Sequence, residues 1–227
     1  MLQAIIFDFD GVIVDTEPLH LKAFQRTLEE SSINLSEEEY TANYLAYDDK
    51  TFFKELFKDR NFEHNEAVIS EFANRKSEHF NNVLKGNILI LEGVQDFISR
   101  VSLKYPLSIG SGALRNEIVE ILEYVGLRKH FDIIMSADEV ENCKPDPEVY
   151  IKVLEHLNDL GLASSTILAN ECLVIEDSIS GVKAAHSAGM KCLAITNSYS
   201  AEDLSEAELV ADSLKTLSIT QVEDMFL

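Results

Sequence analysis

Residues Gln3–Val12 read QAIIFDFDGV. Five of the first seven are Ala, Ile or Phe, an apolar run too short for a helix and without the alternation of a half-exposed strand. It predicts a strand buried on both faces, as the inner strands of a parallel sheet are. The run ends in two carboxylates, Asp8 and Asp10, and then Gly11, which lets the chain turn tightly and approach a ligand closely. Working outward, similar runs recur at Leu107–Gly110, Phe131–Met135, Leu173–Ile175 and Cys192–Thr196, with helical patterns between them. Ile118, Ile121, Leu122 and Val125 share one helical face. Pro147–Leu160 follows Asp146 as a potential cap. Ile179–Ala188 stops at Gly189. Strands alternating with helices of this length give a doubly wound α/β fold.

Between about Thr16 and Lys85 the alternation stops and only helical periodicity remains. Helices are expected over Glu17–Ser31, after the capping-box pattern Ser36-Glu37-Glu38-Glu39, after Asp49 as cap, and over Asn65–Leu84. The expected division is an α/β core of residues 1–15 and 87–227 interrupted by an all-α insert of residues 16–86.

Composition narrows the function. The chain has 227 residues, 46% hydrophobic and 26% charged, which excludes a mainly disordered state. Its formal net charge of −21 argues against a nucleic-acid or anionic-membrane partner, since both need a basic face. Three cysteines with no C-x-x-C spacing exclude a disulfide scaffold and a cysteine zinc site; Cys172 and Cys192 are expected in the core. No secretory leader or membrane-spanning run is read, so a cytoplasmic monomer is expected.

The chemistry-bearing residues gather at the carboxyl ends of the expected strands, where open α/β sheets bind ligands. They are Asp8 and Asp10; Ser111 and Gly112; Lys144 in Cys143-Lys144-Pro145-Asp146-Pro147; and Glu176-Asp177. Each alone has a plainer reading: helix-capping acids, a Ser/Gly turn, a surface lysine. Together, four carboxylates against one lysine need a hard cation, and all-oxygen donors favour Mg²⁺.

Ile6–Thr16 resembles the first motif of the haloacid dehalogenase superfamily, and Ser111, Lys144-Pro145-Asp146-Pro147 and Glu176-Asp177-Ser178 with Gly181 match its second, third and fourth motifs in order. The helical insert resembles that superfamily's four-helix cap. Val12, His20 and Arg75-Lys76 resemble its β-phosphoglucomutase-like subfamily of sugar-phosphate enzymes. The resemblance implies a Rossmann-like core, an aspartyl phosphate on Asp8, and general acid–base work by Asp10. It implies Mg²⁺ held by Asp8, the Asp10 backbone carbonyl and Asp177, with Glu176 as ligand or partner. Ser111, Gly112 and Lys144 would hold the phosphoryl group, and His20, Lys50 and Lys76 the substrate from the cap. The segment Tyr44–Lys50 departs from the mutase pattern, having neither Gly nor Arg. Lysine supplies charge there but not a bidentate fork.

The expected function is therefore a Mg²⁺-dependent phosphatase of a small phosphorylated metabolite, such as a sugar phosphate, with a phosphosugar mutase as the alternative. A 2-haloacid dehalogenase would not need Asp10 or Glu176-Asp177. A phospho-acceptor receiver domain would be far shorter and would lack the insert.

Overall fold

The computed structural model describes residues 1–45, 47–84, 88–163 and 165–227. The chain divides into two compact units, Met1–Asp15 with Leu89–Leu227, and Thr16–Ile88. The expected junction around Lys85–Asn87 lies outside the described residues, as does Ala46 in the segment Tyr44–Lys50.

The first unit is built on strands β1 (Ala4–Phe7), β4 (Leu107–Gly110), β5 (Ile133–Met135), β6 (Cys172–Glu176), β7 (Lys191–Ile195) and β8 (Leu209–Ala211). They form one sheet in the order β5-β4-β1-β6-β7-β8, with every pairing parallel. The chain builds from β1 outward to β5 and then crosses back to β6 on the other side of β1. The switch point of the sheet therefore flanks the carboxyl end of β1. All residues of β1, β4, β5 and β6 are buried, which is why those strands read as unbroken apolar runs. Cys172 and Cys192 are fully buried in β6 and β7, as their apolar context predicts.

The helices of this unit are α5 (Val94–Val101), α6 (Arg115–Tyr124), α7 (Glu148–Asp159), α8 (Ile179–Ser187) and α9 (Ile219–Asp224). Asp146 does support the start of α7, its Oδ1 accepting from the Glu148 amide at 3.0 Å. Ser178 caps α8, accepting from the Gly181 amide at 3.0 Å. Two short strands, β2 (Val14–Asp15) and β3 (Leu89–Ile90), pair antiparallel where the chain leaves this unit and re-enters it. Their length of two residues explains why no sequence pattern revealed them.

The second unit contains α1 (Glu17–Glu29), α2 (Glu37–Asn43), α3 (Asp49–Asp59) and α4 (Glu66–Leu84). Ser36 caps α2 through the Glu39 amide, as expected. The cap of α3 is Asp48, not Asp49: Asp48 Oδ1 accepts from Lys50 and Thr51 amides at 3.0 and 3.1 Å. Asp48 has the extended backbone a cap needs, and Asp49 already lies inside the helix. The unit's core is aromatic. Phe24, Tyr40, Phe52, Phe53, Phe57 and Phe72 are buried together, with Phe24 and Phe52 ring centroids 3.8 Å apart. Burying each such ring contributes roughly 1.5–3 kcal/mol.

Candidate active site

The site starts at the last residue of β1. Asp8 follows Phe7, and its amide donates to the Ile175 carbonyl at 2.9 Å, which extends the β1–β6 pairing by one residue. The same register brings Glu176, the last residue of β6, and Asp177 beside it. Carboxylate oxygens of Asp8, Glu176 and Asp177 lie within 4.8 Å of one another, all three buried. The Asp10 side chain stands outside that triplet; its backbone makes a bridge with Val14.

Lys144 enters from the loop before α7. Its Nζ donates to Asp8 Oδ1 at 2.8 Å and to Glu176 Oε1 at 2.6 Å. Lys144 and Asp8 keep 12% side-chain exposure, whereas Glu176 has none. Glu176 is heavily engaged. Its Oε1 also accepts from the Tyr150 hydroxyl at 2.7 Å. Its Oε2 accepts from the Asp177 amide, the Ser178 amide and the Ser178 hydroxyl at 2.9, 3.1 and 3.0 Å. That makes five donors on a group with about four lone-pair positions.

Two glycines make room for the acids. Gly11 has φ +74°, and a Cβ there would stand 1.8 Å from Asp177 Oδ2. A Cβ on Gly181 would stand 1.8 Å from Glu176 Oε1.

The electrostatics follow from burial and crowding. Burial raises the Asp8 pKa to about 7, with Lys144 opposing and Glu176 adding to the rise. Burial raises Asp177 to about 8, reinforced by Glu176 and Asp8. For Glu176 burial acts upward, but Lys144 and the hydrogen bonds from Lys144 and Tyr150 outweigh it and hold the group below the usual glutamate range. Lys144 is pushed down by burial and further up by Asp8 and Glu176, so it stays protonated. The residues fit a hard divalent cation. Asp8 and Asp177 are neighbouring oxygen donors whose ionised forms are disfavoured by burial and by the charge of Glu176, and a cation among them would reverse that.

Ser111 is 3% exposed and follows β4, one residue past the level of Asp8, since Phe7 pairs with Ile109. Its Oγ accepts from the Ala113 amide at 3.1 Å. Helix α6 begins at Arg115, beyond Ser111 and Gly112, and the Arg115 amide donates to Asp138 Oδ2 at 2.9 Å. An acid from the loop after β5 already occupies that end of the helix.

The other three sequence candidates belong to the helical unit. Lys76 is 1% exposed, donates to Asp49 Oδ1 at 2.7 Å, and lies 2.7 Å from His20 Nδ1. The His20 ring stacks on Phe80 with centroids 4.2 Å apart. Lys50 is exposed in the first turn of α3.

Sequence reasoning missed Tyr150 and Ser198. Tyr150 lies in the first turn of α7, just after Lys144-Pro145-Asp146-Pro147, and reads as an ordinary core aromatic. Ser198 follows β7, and its hydroxyl donates to Asp177 Oδ2. The available signal was its position at a strand's carboxyl end.

A family model described as haloacid dehalogenase-like hydrolase matches residues 5–195. A phosphorylated carbohydrates phosphatase of Thermotoga maritima is 31% identical over 191 residues, covering 84% of this chain and 83% of that protein. A fructose-1-phosphate phosphatase of Escherichia coli is 27% identical, covering 82% of this chain and 92% of that protein. The crystal structure of a β-phosphoglucomutase from Clostridium difficile has a similar fold. It gives a TM-score of 0.84 at 24% identity, over 100% of this chain and 97% of that one.

Proposed function

Since the chain belongs to the haloacid dehalogenase-like hydrolase family, we propose that it is a Mg²⁺-dependent phosphatase of small phosphorylated carbohydrates working through an aspartyl phosphate on Asp8. The observation that carries this reading is Lys144 lying between Asp8 and Glu176, at hydrogen-bond distance from both, on the carboxyl edge of the sheet. The carboxylate that would receive the phosphoryl group and the cation that would hold its oxygens share one hydrogen bond. The relatives acting on phosphorylated carbohydrates and fructose 1-phosphate supply the substrate class.

In this mechanism Asp8 attacks phosphorus and the sugar oxygen leaves, taking its proton from Asp10. Water then attacks the phosphoryl group, giving its proton to Asp10 and restoring the Asp8 carboxylate as orthophosphate departs. Lys144 and the Ser111 hydroxyl hold the phosphoryl oxygens through both steps. Asp8, Asp177 and the Asp10 backbone carbonyl would hold Mg²⁺, which supplies positive charge against the phosphoryl oxygens when bound. Glu176, with both oxygens accepting hydrogen bonds, acts behind them by fixing Lys144.

The mutase alternative requires a cationic group for a second phosphate. In the helical unit Lys76 is committed to Asp49 and His20, which disfavours it for that part and leaves Lys50 as the candidate contact with substrate. The test is a panel of sugar monophosphates assayed for phosphate release with Mg²⁺ and with excess chelator. Release with Mg²⁺ and none with chelator supports the reading. Interconversion of sugar phosphates stimulated by a sugar bisphosphate, without net release, supports the mutase. Full activity in chelator removes the metal from the mechanism.

A further inference from the structure

We propose that Tyr150 is a positioning residue of this site, fixing where the Lys144 ammonium stands relative to Asp8. Tyr150 is fully buried in the first turn of α7, a helix packed on β4 and β5. It touches both Glu176 and Lys144. Its hydroxyl donates to Glu176 Oε1 at 2.7 Å, the same oxygen that accepts from Lys144 at 2.6 Å. Its ring centre lies 4.9 Å from Lys144 Nζ, within range of a cation–π contact.

The division of donors on Glu176 gives the hydroxyl its effect. The Asp177 amide, the Ser178 amide and the Ser178 hydroxyl all donate to Oε2. On Oε1 the donors are Lys144 and Tyr150. The phenol takes up part of that oxygen's accepting capacity, so Glu176 holds Lys144 without drawing it wholly away from Asp8 Oδ1, 2.8 Å distant. Removing the hydroxyl leaves a buried carboxylate oxygen with Lys144 as its remaining donor. The ammonium then moves toward Glu176, and a phosphoryl group at Asp8 loses part of its cation. This assignment rests on the reading of the site as a phosphoryl-transfer centre.

The variant is Tyr150→Phe, which keeps the ring, its packing and its face toward Lys144. Two calorimetric titrations read it: Mg²⁺ alone, and orthophosphate at saturating Mg²⁺. The expected result is roughly tenfold weaker phosphate binding, with Mg²⁺ affinity within about twofold of wild type. Unchanged phosphate affinity makes Tyr150 a packing residue and overturns the assignment. Parallel weakening of Mg²⁺ and phosphate indicates a general loosening and overturns it too. Wild-type protein that takes up no phosphate overturns the underlying site reading, and this assignment with it. Wild-type binding preserved in Tyr150→Phe overturns the assignment alone.

Discussion

Asp8 and Asp10 are two residues apart, yet their surroundings divide them. Asp8 is buried and bonded to Lys144, whereas Asp10 lies outside the buried triplet. They should therefore fail differently. Asp8→Asn should form no phosphoenzyme from any substrate. Asp10→Asn keeps the nucleophile and removes proton transfer, a loss of order 10²–10⁴ in rate on a sugar phosphate. An aryl phosphate needs less help in the first step, so its adduct should accumulate on Asp8 and appear in intact-protein mass spectrometry after rapid mixing. Absence of that adduct, with equal losses on both substrates, would rule out this division of labour. Gly181 gives a second test at this scale. In a helix, Gly→Ala normally stabilises by up to about 1 kcal/mol. Here the new Cβ would stand 1.8 Å from Glu176 Oε1, and Gly181 lies within α8. Gly181→Ala should lower the melting temperature against its helix propensity and reduce kcat/KM through Lys144. A raised melting temperature with normal kinetics would contradict this.

At the scale of elements, α1, α3 and α4 meet through a charged cluster inside an aromatic unit. Lys76 of α4 faces Asp49 of α3 and His20 of α1, and Phe80 of α4 stacks on the imidazole. Burial, aided by the Lys76 charge, holds His20 well below its usual 6.5. The neutral form is therefore the native one. Between the depressed native pKa and 6.5 the unfolded chain binds more protons, so stability falls as pH drops through 6.5. The slope from this one group approaches about 1.4 kcal/mol per pH unit. His130, in the α/β unit, is also held low by burial and adds a loss of the same sign. Asp8 and Asp177, raised to about 7 and about 8, act with the opposite sign over this range, so the contribution of His20 is read as a difference: in denaturant unfolding at pH 7.5, 6.5 and 5.5, His20→Gln, which still accepts from Lys76, should gain stability relative to wild type as pH falls. An identical pH dependence in the variant would remove His20 from the explanation.

For the whole molecule, the net charge of −21 opposes the approach of an anionic substrate. Within the acidic field, Lys144 supplies positive charge beside Asp8. Salt screens charges over about 10 Å at 0.1 M and should weaken the long-range repulsion more than the short contact. With free Mg²⁺ held constant, kcat/KM for a sugar phosphate should rise roughly two- to threefold between low and physiological ionic strength. A fall would mean that local cations rather than the global field govern encounter. Among the described residues no helix is long and apolar enough to cross a membrane.

The amino-acid sequence by itself determined five of the six strands of the main sheet, all but the edge strand β8, and the helices of the insert together with α6, α7 and α8. Parallel strands buried on both faces must be apolar throughout, and helices with one buried face must repeat their apolar residues every three or four positions. It also put Asp8, Ser111 and Glu176-Asp177 at strand ends, because each closes its own apolar run. Local pattern could not reveal β2 and β3, whose pairing joins residues 14 and 90. Nor could it tell which polar groups would find each other. Lys144 reaches Asp8 across 136 positions of sequence, and Tyr150 reaches Glu176 across 26. Asp49 takes up the charge of Lys76, and Asp138 takes the N-terminus of α6. Those pairings depend on strand order and on competition among donors for a few buried oxygens. Both are properties of the packed chain, because a buried donor bonds to whichever acceptor the fold brings within about 3 Å.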